Sequence, residues 1–324
     1  MTPRLRLLAF AGMILIGLGW GLSMPLSKIA VSSGHQHFGL IFWQLVIGAV
    51  LLAGINRIRR RPLPTGWAQW RTWIVLALTG SLIPSVAFYS AISHLPAGIV
   101  AIVISLVPMM AFPIAMALGL ERFAARRFSG LLLGLVGTIL LILPDASFGT
   151  DAGTGLGAGL GDPAMLRWLP VALIAPLCYA IEGNYVSRWG TAGLDPFQVM
   201  LGACLVAATL VLPAALVSGQ FISPFRAFEA PEQALVIYAL ISVLAYSGYV
   251  WLVGVAGAVF AVQVSYLVTG FGVVASLVFL GERYSPLIWL AFALVLAGIF
   301  LVQPRRQQTL AEDASIGENA HRAS

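Results

Sequence analysis

Ten apolar stretches, each close to the length that crosses a lipid bilayer, account for most of this 324-residue chain. They lie near 7–30, 38–55, 72–93, 97–119, 128–144, 167–188, 196–217, 233–254, 258–280 and 285–303. A bilayer core about 30 Å thick takes roughly 20 apolar residues per helix. What remains is too short for a sizeable soluble domain, and the alternation of a membrane β-barrel is absent from the sequence. Composition agrees: 60% of residues are hydrophobic and 9% are charged, with a mean hydropathy of +0.95. A soluble domain of this length needs far more charge to cover its surface. The expected fold class is an all-α membrane protein with ten transmembrane helices.

The first stretch follows Arg4 and Arg6, as a signal peptide would. It is too long for a signal h-region, and Lys28 stands where a cleavage site belongs, so the helix is expected to be retained. Cys178 and Cys204 fall inside apolar stretches with no metal-binding spacing, and read as small hydrophobes.

The formal net charge of +6 invites a nucleic-acid reading, which charge placement opposes. If the helices alternate direction, 14 of the 18 Lys and Arg residues fall on one side, including "NRIRRR" (56–61), "ERFAARR" (121–127) and "RR" (305–306). The exceptions are Lys28, Arg167, Arg226 and Arg283. This is the positive-inside pattern, and it predicts that both termini are cytoplasmic in a multi-pass protein of the bacterial inner membrane. The expected partners are a lipid bilayer and a small-molecule substrate, with no nucleic acid.

Residues 145–166, "DASFGTDAGTGLGAGLGDPAML", interrupt the apolar pattern with Gly and Asp. The "GLGAGLG" run has no preceding strand and no βαβ setting, so it reads as an external flexible linker and not a phosphate loop. It separates a first half (1–144) from a second (167–303), and a polar tail (304–324) is expected to be disordered. The halves are alike. "GLERFAARRFSGLLLGLVGTILLI" (119–142) aligns with "LGERYSPLIWLAFALVLAGIFLV" (280–302), setting Glu121 on Glu282, Arg122 on Arg283 and Gly137 on Gly298. In both, the third and fourth helices join through almost no loop: "SHLPAG" (93–98) and "GVAGA" (254–258). Five helices per half require the second half to insert upside down, and inverted repeats place a substrate site near the midplane between them.

These residues resemble the drug/metabolite transporter superfamily, in its EamA-type ten-helix branch. The resemblance covers roughly 7–303 and rests on "LPAGIVAIVISLVPMMAFPIAMALGLER" with Pro108 and Glu121, on "GER" (281–283) and on the early "GWG". It implies export or exchange of small metabolites, amino acids among them, and a central cavity lined by the fourth and ninth helices. Nucleotide-sugar carriers share the fold. The second half has Thr269 where the first has the helix-breaking Pro108, which puts exact symmetry of the two gates in question.

Candidate site residues follow. In the ninth helix Gln263, Tyr266 and Thr269/Gly270 share one face, and their mates in the fourth are Ile102, Ser105 and Pro108/Met109. Such a stripe either lines a cavity or hydrogen-bonds between helices. The third and eighth helices offer Tyr89, Tyr246 and Tyr249; the first and sixth offer Trp20 with Ser23, and Tyr179 with Glu182. Aromatic rings at a cavity hold an apolar or aromatic metabolite or a cation; as packing they need no ligand. Glu182 is the one acid well inside an apolar stretch, where insertion costs on the order of 2.5–3.5 kcal/mol. It is a candidate for proton coupling; the competing readings are that it sits close enough to the cytoplasmic end to reach water, or that it is a neutral partner to Asn184 or a tyrosine. Lys28, the only lysine, serves either as a snorkelling anchor or as an entrance charge for carboxylates. Glu121 and Glu282 each precede a helix and read as helix-capping carboxylates. His35, His37 and His94 fall in loops and turns without a third metal ligand.

The expected activity is secondary transport of a small organic metabolite, an amino acid or related compound, by alternating access and in the direction of export. No G-x-x-x-x-G-K-[ST] motif is present to use ATP, and no cofactor or metal is expected. An intramembrane enzyme needs a nucleophile–base pair, a carboxylate dyad or H-E-x-x-H, none of which the sequence offers. A channel is a further alternative. A nucleotide-sugar exchanger needs cations in its cavity for the phosphates, whereas here the arginines sit in loops.

Overall fold

The structure of the protein, a computed structural model, describes residues 3–32, 34–121, 123–142, 165, 167–225, 228–256 and 264–302. Both the linker and the tail fall outside the described residues, apart from Met165 in the linker. The described chain is helical: α1 (Pro3–Val31), α2 (His37–Ile58), α3 (Trp67–Leu76), a π-helical stretch (Ala77–Leu82), α4 (Ile83–Ile92), α5 (Ala97–Ile104), α6 (Val107–Ala117), α7 (Ala125–Ile142), α8 (Trp168–Trp189), α9 (Pro196–Val217), α10 (Ala230–Ala256), α11 (Val264–Leu280) and α12 (Pro286–Val302). Helix is the form a lipid-exposed strip of backbone must take, because it satisfies its own N–H and C=O groups.

The segments α3 to α4 make one rod, and α5 to α6 another, giving ten rods that correspond to the ten apolar stretches. Among the described residues, seven helical runs are long and apolar enough to cross a membrane; α11 and α12 are apolar but shorter. Two prolines explain the interruptions. Pro84 lacks an N–H, and its ring crowds the carbonyl four residues earlier, at Gly80. The backbone widens into the π stretch there. Pro108 opens α6 just after the break at Ser105–Leu106. Its mate Thr269 has an N–H and no ring, and α11 runs through it unbroken.

Exchanging α1 with α8, α2 with α9, α3–α4 with α10, α5–α6 with α11 and α7 with α12 reproduces the principal packing. Helix α1 packs on α10 and α11, while α8 packs on α4 and α6. The pairs α2 with α9, α5 with α11 and α7 with α12 map onto themselves. Loop contacts sort onto two ends. At one, the Trp43 indole donates to the Ile222 carbonyl at 2.8 Å, the Phe38 N–H donates to Gln220 at 3.0 Å, and His94 stacks on Trp168. At the other, Arg59 pairs with Asp195 at 3.2 Å, and the Gln198 amide donates to the Pro62 carbonyl at 2.6 Å. Asp195 also caps α9, accepting from the N–H groups of Phe197 and Gln198.

Helices in lipid approach closely where small residues allow it. The α7–α12 crossing shows this. A Cβ added at Gly298 would lie 2.7 Å from the Gly130 carbonyl oxygen and 3.0 Å from the Gly134 nitrogen; one at Gly137 would lie 2.9 Å from the Ala291 oxygen. Gly298→Leu should therefore wedge the pair apart and lower stability by about 1–3 kcal/mol, the usual cost of overpacking. Thermal unfolding in detergent checks this, and an unchanged midpoint would contradict the close crossing.

Candidate functional site

A polar cluster sits where α2, α4, α8 and α10 meet. The Tyr89 hydroxyl donates to Gln44 Oε1 at 2.9 Å, and Gln44 Nε2 reaches the Tyr238 hydroxyl at 3.5 Å. Ser242 lies near the same Tyr238 hydroxyl. The Tyr89 and Tyr238 rings meet edge to face, 6.3 Å between centroids. Tyr179 stands within electrostatic range of both Tyr238 and Glu182, and Tyr246 within range of Glu182 and Tyr249. The Tyr249 ring lies 5.7 Å from Trp20. Tyr89 is 2% exposed; Gln44, Tyr179, Glu182, Tyr238, Ser242, Tyr246, Tyr249 and Trp20 are all partly accessible. Spacings of four, four and three put Tyr238, Ser242, Tyr246 and Tyr249 on one face of α10. The sequence reading found Tyr89, Tyr179, Tyr249 and Trp20, and missed Gln44, Tyr238 and Ser242. The periodicity of α10 is the signal that would have found the last two.

Glu182 lies in a notch. A Cβ at Gly80 would fall on its carboxylate, meeting Oε1, Cδ and Oε2, so glycine is what admits the acid against the π stretch. Thr79 turns its hydroxyl to the Val75 carbonyl instead. Asn184 is engaged elsewhere, donating to the Ala111 and Ala180 carbonyls at 3.0 and 2.8 Å. Among the described residues no cation and no hydrogen-bond donor is paired with the Glu182 carboxylate.

The other sequence candidates stand apart from this cluster. Ser23, 5% exposed, donates to the Trp20 carbonyl in its own helix, and Ser105, 6% exposed, donates to Ile102 at the helix break. Thr269 donates to the Ser265 carbonyl. Tyr266 faces Arg126 electrostatically, and its buried hydroxyl has no partner among the described residues. Gln263 lies outside the described residues. His35 bonds Glu232 at 2.6 Å, and the described residues hold no group of three metal-ligating side chains.

Lys28 and Glu282 work on one turn. Lys28 Nζ donates to the carbonyls of Ile92 at 2.6 Å and Leu95 at 2.9 Å, with Ser93 at 3.5 Å. It thus neutralises the C-terminal carbonyls of α4, which are left open by the turn. Glu282 takes the other side. Its carboxylate accepts from the N–H groups of Ala97 at 2.7 Å and Gly98 at 3.2 Å, the first turn of α5. It caps a helix in the first half, not the α12 that follows it in sequence. Tyr284 donates to the same carboxylate and stands where a side chain at Gly98 would go. Burial, then the Glu282 carboxylate, push the Tyr284 hydroxyl well above the ordinary tyrosine value, so it remains a neutral donor. Its repeat mate Glu121 instead pairs with Arg127 at 2.7 Å.

The family model for the EamA-like transporter family matches this chain twice, over residues 7–143 and 166–303. The chain belongs to the EamA-like transporter family. It is a multi-pass membrane protein of a family that transports small molecules. Among its relatives, Uncharacterized transporter sll0355 from Synechocystis sp. is 25% identical over 297 residues, covering 89% of this chain and 87% of the relative. WAT1-related protein At3g02690, chloroplastic, from Arabidopsis thaliana is 23% identical, over 87% of this chain and 66% of the relative's length. A crystal structure shares the fold with a TM-score of 0.59 at 19% identity, covering 93% of this chain and 98% of the other.

An apolar cleft of about 360 Å³ lies between Leu82, Val86, Val171, Ile174 and Leu210. It has almost no polar lining and excludes the tyrosine cluster, so it lacks the convergent polar groups that orient a ligand. The tyrosine–Glu182 cluster is the better candidate site. For the Lys28 clamp, Lys28→Met should leave the α4 carbonyls unpaired and cost about 1.5–3 kcal/mol, as for a lost hydrogen bond to a charged group. Glu282→Gln should be destabilising too, and the double variant should lose less than the two single losses together, because both brace one turn. Strict additivity in thermal unfolding would contradict a shared role.

Proposed function

We propose that this protein is a secondary transporter that exports a small organic metabolite, an amino acid or related compound, across the inner membrane by alternating access. The observation that carries this reading is the cluster around Glu182. It draws Gln44 and Tyr89 from the first half and Tyr179, Tyr238 and Tyr246 from the second. A site shared by two halves changes its access when the halves rock against each other. The exchange symmetry of the helix packing supports two inverted five-helix repeats, and the sorting of loop contacts onto two ends supports alternating helix direction. With the arginine-rich loops inside, both termini are cytoplasmic, and the Lys28–Glu282 clamp lies at the external end. It holds that end shut in this conformation.

Rings of Trp20, Tyr89, Tyr179, Tyr238 and Tyr249 bind the body of the substrate, and Glu182 exchanges the coupling proton. The titratable groups near that carboxylate are Cys178 and Tyr179 on α8 and Tyr246 on α10; the π stretch presents backbone. The absence of Lys and Arg from the cluster, among the described residues, speaks against a nucleotide-sugar exchanger, whose phosphates need cations.

Reconstituted in liposomes, the protein should accelerate saturable efflux of a preloaded amino acid or related compound and show counter-exchange. Replacement of Tyr179 or Tyr238 by Ala should reduce flux at least tenfold, whereas a lipid-facing Leu244→Ala should not. Glu182→Gln should flatten the pH dependence. Linear, non-saturating flux would mark a channel, and an unchanged pH profile would remove Glu182 as the proton carrier.

A further inference from the structure

We propose that Glu182 and the tyrosines beside it form a subsite for a substituted ammonium group, and that the preferred cargo is a small organic amine lacking a carboxylate. The inference rests on the carrier reading and, within it, favours a related amine over the amino acid itself. Four observations converge on it.

The first is an acid without a partner among the described residues. Glu182 is partly accessible, and no cation or donor among the described residues is paired with it. An acid held at membrane depth calls for a partner, and a ligand that brings a positive charge supplies one. The second is that the notch is built. Gly80 has no Cβ where the carboxylate lies, and Pro84 shapes the π stretch that places Gly80 there. A larger residue at 80 would displace the acid, so the acid's position depends on a specific glycine.

The third is the nature of the walls. Tyr179 and Tyr246 lie within electrostatic range of Glu182, and Tyr238 lies within range of Tyr179. Aromatic faces within about 6 Å attract an organic cation, while phenols are poor ligands for a bare metal ion, and no group of three metal-ligating side chains occurs among the described residues. The geometry therefore favours a carbon-bearing ammonium over an inorganic cation.

The fourth observation separates an amine from an amino acid. A zwitterion brings a carboxylate of its own, which needs a cation or several donors. Lys28 is engaged by the carbonyls of Ile92 and Leu95, and Arg126 lies over the Phe300 ring, within electrostatic range of Tyr266. The donors near Glu182 are hydroxyls, and Tyr89 has committed its own to Gln44. When Glu182 is ionised, a second carboxylate beside it meets like-charge repulsion, with no compensating cation paired to it among the described residues.

The test uses the full-length protein with matched probes that differ by one group: tyramine against tyrosine, phenethylamine against phenylalanine, and tyramine against its neutral N-acetyl derivative. Ligand-dependent thermal stabilisation in detergent and flux in liposomes are both read. Each amine should stabilise and move at least tenfold better than its amino acid, and N-acetylation should abolish both effects. Glu182→Gln should remove amine stabilisation, and Gly80→Ala should weaken it at least tenfold. The comparison with the N-acetyl probe needs no variant, so it decides the matter even if Glu182→Gln does not fold. The subsite is overturned if the amino acids match or exceed the amines, if N-acetyltyramine binds as well as tyramine, if amine binding survives Glu182→Gln, or if no member of any pair binds. In any of these cases, saturable flux of another metabolite leaves the carrier reading standing; no saturable flux of any solute removes both.

Discussion

A sharp turn at the edge of the membrane bares backbone groups that lipid cannot satisfy, and the turn at residues 93–96 is such a place. It ends α4 and starts α5 with almost no loop. The α4 carbonyls need a donor and the α5 N–H groups need an acceptor. Lys28 supplies the one from the end of α1, and Glu282 supplies the other from the loop before α12. Each charge is matched to the helix end whose dipole favours it. The two side chains reach one turn from distant parts of the chain, so satisfying its backbone also ties α1 and the loop before α12 to that turn. The clamp's members are also discrete hydrogen bonds, which either hold or release as a set.

Toward the middle, the logic reverses. The clamp pairs its charges, whereas the Glu182 carboxyl has no paired cation or donor among the described residues. The Tyr89 and Tyr238 hydroxyls are linked through Gln44, and the Tyr246 hydroxyl donates to the Pro196 carbonyl. Glu182 is positioned by shape, against Gly80, and not by a counter-charge. An arrangement that is rigid in its aromatic walls and unsatisfied in its acid gives a transient ligand something to complete. The apolar cleft lined by Leu82 and Val171 has space and no such handle.

Much of this was legible in the sequence, for identifiable reasons. The ten rods follow from the length of apolar runs, and the break at Ser105–Leu106 follows from Pro108. That α11 continues through Thr269 follows from the residue that stands where proline would be. The neighbourhood of Tyr179 and Glu182 was visible because residues three apart share a helix face. Gln44, Tyr238 and Ser242 were missed because their significance lies in contacts between helices distant in sequence. Lys28 could not be assigned because its partners are carbonyls, which every residue carries and no sequence distinguishes. Glu282 was read correctly as a cap, but the helix it caps is one that only the assembled fold brings to it. The polar stripe of the fourth and ninth helices holds its described hydroxyls within local bonds or near Arg126, because Ser and Thr in helices readily bond back to the preceding turn.

The central claim is that one pocket faces the two sides of the membrane in turn, with the clamp shutting the external side. The most direct measurement places a single cysteine at Ser242 in a Cys178→Ser, Cys204→Ser background and labels it with a membrane-impermeant maleimide from each side of sealed vesicles. The free protein should be labelled from both sides. With the 93–96 turn cross-linked to the 281–285 loop, labelling should persist from the cytoplasmic side alone. Labelling of the free protein from one side only, or of the cross-linked protein from both, would contradict it.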